Sequence, residues 1–202
     1  PIAIEEGKLK ASDSQSHRST LVVESADRTQ QQFLRFTIQP GLMALVELDR
    51  VMELVNMPID RVVPMPHLPP AVRGVYNWRG EILWIVDLAM LLGADGASRR
   101  YRSLQPTIVI GSIIDRVGIA QLPAVGSRSQ PQQPQKTIGL IVDEIVEIEW
   151  CQLDLIGSTV PADLDPALSK WVRGMWESPT GENFPVLDGQ AILERADVHA
   201  DV

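Results

Sequence analysis

The chain has 202 residues, 45% hydrophobic and 22% charged, with eighteen basic against twenty-six acidic side chains and a net charge of −8. That length can bury a real core as one large domain or two small ones, and the acidic balance argues against nucleic acid or an anionic membrane surface as partner. A single cysteine, Cys151, excludes an internal disulfide and a thiolate zinc cluster.

Residues 1–32 are polar, lack an apolar run of signal-peptide type and read as a flexible N-terminal arm, so the cytoplasm is the expected compartment. From Gln32 the pattern changes. Leu34, Phe36 and Ile38 alternate with Phe33, Arg35 and Thr37, as in a strand. A second run, Met43 to Leu48, follows the turn at Pro40-Gly41, and Val51 to Val55 alternates again. Five prolines between Pro58 and Pro70 exclude a long helix there. Glu81 to Val86 forms the next strand, Asp87 sits as a helix N-cap, and Gly93 closes a short helix at the C′ position. Strand pattern returns at Thr107 to Ile110. Residues 126–136 are rich in Gln and Pro and read as a flexible connecting loop. Two more strands are expected at Thr137–Val142 and Ile145–Trp150. The longest apolar stretch, Leu83 to Leu92, is interrupted by Asp87 and falls short of the roughly 18 residues that span a bilayer.

A weak internal repeat is the most informative feature. Val72-Arg73-Gly74-Val75 recurs one hundred positions later as Val172-Arg173-Gly174-Met175. Ile85-Val86-Asp87 matches Val186-Leu187-Asp188, and Val51-Met52-Glu53-Leu54 matches Ile145-Val146-Glu147-Ile148. Three matches in one order imply a shared unit of about five short strands and a short helix, hence a small β-barrel. Gly74 and Gly174 are expected at the start of turns, and Gly80 follows Arg79, where a positive φ or a tight backbone approach is expected. Alternation assigns Val51, Glu53 and Val55 to the outward face of the first unit, and Ile145, Glu147 and Glu149 to that of the second.

Candidate chemistry is sparse. His17, His67 and His199 stand far apart with no metal-ligand spacing, and no nucleophile elbow, phosphate loop or dinucleotide fingerprint occurs. Asp143 and Glu144 are adjacent on a strand and so diverge. No enzyme, cofactor or metal is expected. Trp78, between Asn77 and Arg79 in a turn, is the one tryptophan of interface type.

The segment Pro64 to Leu88, with Gly74-Val75-Tyr76-Asn77-Trp78-Arg79-Gly80 at its centre and Val86-Asp87-Leu88 at its end, resembles the signature of CheW-like domains. Ile138-Gly-Leu-Ile-Val-Asp-Glu-Ile145 is similar to that family's second motif. The resemblance implies an all-β fold with short helices: two SH3-like five-stranded β-barrels related by pseudo-duplication around a shared apolar seam. The expected domain covers 33–194, with a first barrel at roughly 33–110, a second at roughly 137–194, and a tail at 195–202. The implied function is a non-catalytic adaptor between a methyl-accepting chemoreceptor-type signalling tip and the regulatory domain of a CheA-type histidine kinase, with no nucleic acid and no membrane insertion. By position, Val51, Glu53, Trp78 and Arg79 fall at the receptor contact, and Ile145 and Glu147 at the kinase contact. The chain departs from the family where Trp78 replaces a usual Leu and Trp84 a common Pro. The second unit also carries Glu177-Ser-Pro-Thr-Gly181 in place of the Asn-x-Arg-Gly turn. The alternatives are a CheW-like module of a larger signalling protein and, disfavoured by charge, a small-barrel nucleic-acid binder.

Overall fold

A computed structural model describes residues 29–93, 101–112, 136–159, 161–162 and 164–196. The expectations for residues 1–28, for most of the Gln/Pro-rich loop and for the end of the tail lie outside these.

Eleven strands and three short helices are found among the described residues. They are β1 (Gln30–Gln39), β2 (Leu42–Glu47), β3 (Val51–Pro58), β4 (Val72–Trp78), β5 (Glu81–Asp87), α1 (Leu88–Leu91), β6 (Leu104–Gly111), β7 (Thr137–Ile141), β8 (Glu144–Gln152), β9 (Ile156–Gly157), α2 (Pro166–Ser169), β10 (Val172–Glu177), β11 (Asn183–Leu187) and α3 (Gly189–Arg195). The strands form two sheets, ordered β3-β6-β7-β5-β4 and β8-β1-β2-β11-β10-β9. The fold is two SH3-like barrels, as the sequence implied.

The two sheets follow one plan. β5 and β7 run parallel, as do β11 and β2, and the remaining neighbours are antiparallel. A bridge between Val63 and Val75 occupies the place that β9 holds in the second sheet. The repeat is therefore real, but it is cyclically ordered. The hairpin β1–β2 belongs to the second sheet, where β1 pairs with β8 from Gln30 to Thr37. β7, beyond the Gln/Pro-rich segment, completes the first. Barrels assigned as contiguous halves, 33–110 and 137–194, therefore differ from sheet membership. Three residues assigned to the arm, Gln30 to Gln32, are already strand.

Gly74 and Gly174 sit inside strands rather than at turns, each at an identical register shift opposite β5 or β11. The reason is a close approach. A Cβ on Gly74 would stand 2.1 Å from the Val63 carbonyl oxygen, and one on Gly174 would stand 2.7 Å from that of Gly157. Asp87 ends β5 and Asp188 directly follows β11, and each caps the following helix, accepting from the amides of Met90 (3.2 Å) and Ala191 (2.9 Å).

Alternating side chains divide the apolar residues into three clusters. Leu34, Phe36 and Ile38 of β1 meet Ile108 and Ile110 of β6, Ile138 and Leu140 of β7, and Val86 in a seam shared by both sheets. Phe33, Leu45, Cys151, Trp176, Phe184 and Val186 fill the second barrel, and Met57, Leu83, Ile85, Val109 and Ile141 fill the first. Each fully buried side chain of this size contributes about 1.5–3 kcal/mol, so the seam ties both sheets into one body.

Candidate functional site

The first candidate site forms where the β4–β5 hairpin meets the edge strand β3. Trp78 and Glu81 flank a two-residue turn whose central residues, Arg79 (φ 55°) and Gly80 (φ 86°), are both left-handed, the geometry of a type I′ hairpin. Gly80 adopts it freely, whereas Arg79 does so against its own Cβ. Asn77 supports the turn by accepting from the Gly80 amide at 3.0 Å.

The turn delivers two side chains to one acid. Trp78 Nε1 donates to Glu53 Oε2 at 2.7 Å, and Arg79 Nη2 lies 3.0 Å from the same oxygen. The guanidinium also stands 5.0 Å from the Trp78 ring centroid. Trp78 packs on the core of the first barrel, while the Arg79 side chain is 67% exposed. Beside the turn, the exposed Ile82 lines a shallow groove of about 230 Å³ with Val63 and Val75.

Three of the four residues assigned to a receptor contact are thus brought together. Val51 is not among them: it is buried in the shared seam. The outward face of β3 carries Met52 and Leu54, while Val55 and Met57 face the barrel interior. The face assignment from sequence is therefore reversed. Both sets of alternating residues in this strand are apolar, and Glu53 pointed to the wrong face because it lies at the rim of the barrel, where Trp78 and Arg79 neutralise and hydrogen-bond it.

The second candidate site, on β8, is corrected at Ile145 and Glu149 but not at Glu147. Ile145 is half-buried and packs on the seam. Glu147 is ion-paired to Arg35 of β1, whose guanidinium also reaches Glu149 at 3.1 Å and lies 5.2 Å from the Phe184 ring centroid. The Glu147 side chain is nevertheless exposed, and the exposed apolar side chains of the strand are Val146, Ile148 and Trp150, the last 60% exposed. The signal that would have found these residues is the parity of Met57 and Cys151. Both are fully buried, and both share a face with the glutamates.

Elsewhere, the arginines of the internal repeat carry ion pairs and rings. Arg173 pairs with the buried Glu47 and stacks on Phe33, and Arg73 stacks on Tyr101, whose hydroxyl donates to Asp87 at 2.6 Å. Burial, with Glu149 adding a smaller push, raises the Cys151 thiol to about 12, so it is neither a nucleophile nor a ligand near neutral pH. Among the described residues no three His, Cys, Asp or Glu side chains gather as a metal site, and no helix is long and apolar enough to cross a membrane.

Two small barrels joined by one seam, with paired charges and apolar side chains at their rims, define a duplicated β-barrel fold. The sequence profile of the CheW-like domain matches residues 32–197, and the chain belongs to that family. Among solved structures, the crystal structure of the scaffolding protein TtCheW from Thermoanaerobacter tengcongensis is similar. Its TM-score is 0.56 at 17% identity, over 78% of this chain and 88% of that one, a likeness that shows the fold. No curated protein matches.

Proposed function

We propose that this chain is a cytoplasmic, non-catalytic adaptor that couples a chemoreceptor-type signalling tip to a CheA-type histidine kinase. The observation that carries the reading is the cluster of Glu53, Trp78 and Arg79 on a left-handed turn. A long side chain held in a costly backbone conformation, with its guanidinium mostly in solvent, suits a group kept for a partner. Arg79 offers a planar set of donors to a receptor carboxylate or carbonyl. Glu53 and Trp78 hold it in place, and Val51 supports the rim from within the seam. The kinase regulatory domain meets β8, where Glu147 stays fixed by Arg35 and Ile145 braces the strand. Val146 and Ile148 supply the apolar contact.

The test is kinase autophosphorylation reconstituted with a purified receptor signalling tip, with and without this chain. Wild type should place the kinase under receptor control. Arg79→Ala should fold normally and lose that control, and Ile148→Lys should lose kinase binding while still binding receptor. Wild-type protein that binds neither partner would overturn the reading.

A further inference from the structure

β8 is an edge strand whose outer side is bare. It pairs with β1 in unbroken register from Gln152 opposite Gln30 to Glu147 opposite Arg35, and the ladder shifts only beyond that point. Among the described residues, no hydrogen bond joins β8 to any other strand. In an antiparallel strand every second residue turns both its N–H and its C=O to the same side, so about three residues of this stretch offer both groups to a new neighbour. The other edges of the two sheets are shorter or closed. β9 has two residues, β4 bridges to Val63 through Val75, and β3 ends at Pro58, with Trp78 and Arg79 reaching its Glu53 from β4 and the turn. On β8 the matching acid, Glu147, turns instead to Arg35 on the paired side.

The side chains of the stretch alternate in chemistry as well as direction. Ile148 and Trp150 stand exposed on the outer face. On the other face Glu147 and Glu149 share the single guanidinium of Arg35, which leaves a local excess of one negative charge, and the Glu147 side chain is 54% exposed in spite of its pairing. A groove of about 430 Å³ between the ends of β8 and β10, lined in part by Trp150, Gln152, Leu155 and Pro179, leaves room at one end of the edge.

We propose that the free edge of β8, from Glu147 to Gln152, takes up an extended segment of a partner protein as an added β-strand. The backbone of that segment completes the open ladder, and its alternate side chains decide which segment fits. Residues directly opposite each other point to the same face, so β-branched or aromatic side chains of the partner meet Ile148 and Trp150, while Lys or Arg meets Glu147 and Glu149. A second copy of this chain fits the edge poorly. Pairing β8 with itself sets glutamates of one copy against glutamates of the other, between chains that each carry a net charge of −8. The proposal rests on the reading that β8 meets a partner and adds the form of the contact, which is main-chain pairing as well as side-chain packing.

The test is calorimetric titration of the full chain with a capped Thr-Lys-Val-Lys-Tyr-Lys-Val-Thr peptide and with two N-methylated versions of it, each methylated at one alternate set of amides. The parent should bind saturably. One methylated version should lose binding at least about tenfold, because its edge-facing donors are gone, and the other should stay within about threefold. Replacing the lysines by glutamates should weaken binding about tenfold, and Trp150→Ala, a change at an exposed position, by a similar factor. Hydrogen exchange should show new protection at alternate amides between Glu147 and Gln152. If the kinase regulatory domain binds the chain but no peptide does, or both methylated peptides bind like the parent, strand addition is overturned and the adaptor reading stands. If the peptide binds with this pattern and the kinase domain does not, the edge is a site and the adaptor reading falls. Self-association that Ile148→Lys abolishes, with no peptide binding, would give the edge to a second copy and overturn the proposal.

Discussion

The two units share a backbone and differ at their rims. In both, a glycine lets one strand pass close to a carbonyl, and an aspartate caps the helix that follows a strand. The pairing of Leu34 with Ile148, and of Ile108 with Leu54, aligns β1 with β6 and β8 with β3. On that alignment Val109 and Val55 of the first barrel become Arg35 and Glu149 of the second, an apolar pair replaced by a charged one. Glu53 and Glu147 are equivalent, yet one is held by the turn that carries Trp78 and Arg79, the other by a neighbouring strand. Features present in both units serve the frame. On the proposed function, features present in one only are where binding has diverged.

The sharpest way to break that division is to strike the shared glycines. Gly74→Ala combines a φ of +135° with a clash against the Val63 carbonyl, and should cost about 3 kcal/mol or more in urea denaturation. Gly174→Ala meets the carbonyl of Gly157 less closely and should cost about 2 kcal/mol. Equal or negligible losses would remove the close approach as the reason for both.

A smaller contrast concerns the caps. Asp87 is fully buried and also accepts from Tyr101, so Asp87→Ala should cost about 2–3 kcal/mol, against about 1 kcal/mol for Asp188→Ala. Tyr101→Phe should account for about 1 kcal/mol of the difference. Smaller still is the effect of relieving the turn. Arg79→Gly exchanges left-handed strain for a freer unfolded chain, and stability should stay within about 0.5 kcal/mol of wild type. Receptor control of the kinase should nevertheless vanish. Retained control would move the contact away from Arg79.

The frame was legible in the sequence because each of its devices has a residue that little else can replace. The Asp before each short helix and the Asn-Trp-Arg-Gly turn announce a cap and a hairpin from local pattern alone, whereas the Gly after Arg was expected at a turn and sits inside a strand. Strand identity was legible for the same reason, through alternation in β1, β3 and β8. Facing was not. In β3 and β8 both faces carry apolar residues, and the rule that charge marks the outside fails where Arg79 or Arg35 reaches an acid at the rim. Sheet membership was hidden too. A hairpin such as β1–β2 carries no local sign of whether it pairs with β3 or with β8, a choice settled only when Phe33 enters the second barrel and Leu34, Phe36 and Ile38 enter the seam.

The interiors offer a last contrast, since Met57 of the first unit corresponds to Cys151 of the second, and only the cysteine titrates. Its thiol ionises near 9.0 in an unfolded chain and at about 12 when folded, because burial disfavours the thiolate and Glu149 adds repulsion. Between those values the native state holds a proton that the unfolded state has released, so stability falls as pH rises from about 9 towards 12 and is unaffected below. The slope is at most on the order of 1 kcal/mol per pH unit for one such group. Tyrosines and lysines also titrate in this range, so the measurement is the difference between wild type and Cys151→Ala in urea midpoints from pH 8 to 10.5. The mutant should lose some stability throughout, from the lost packing, and the gap should narrow as pH rises. The same thiol should resist alkylation at pH 8 in native protein and react at once in urea. Rapid native labelling would mean that the edge strand β8 opens while the seam stays closed, and would make the second unit the looser of the two.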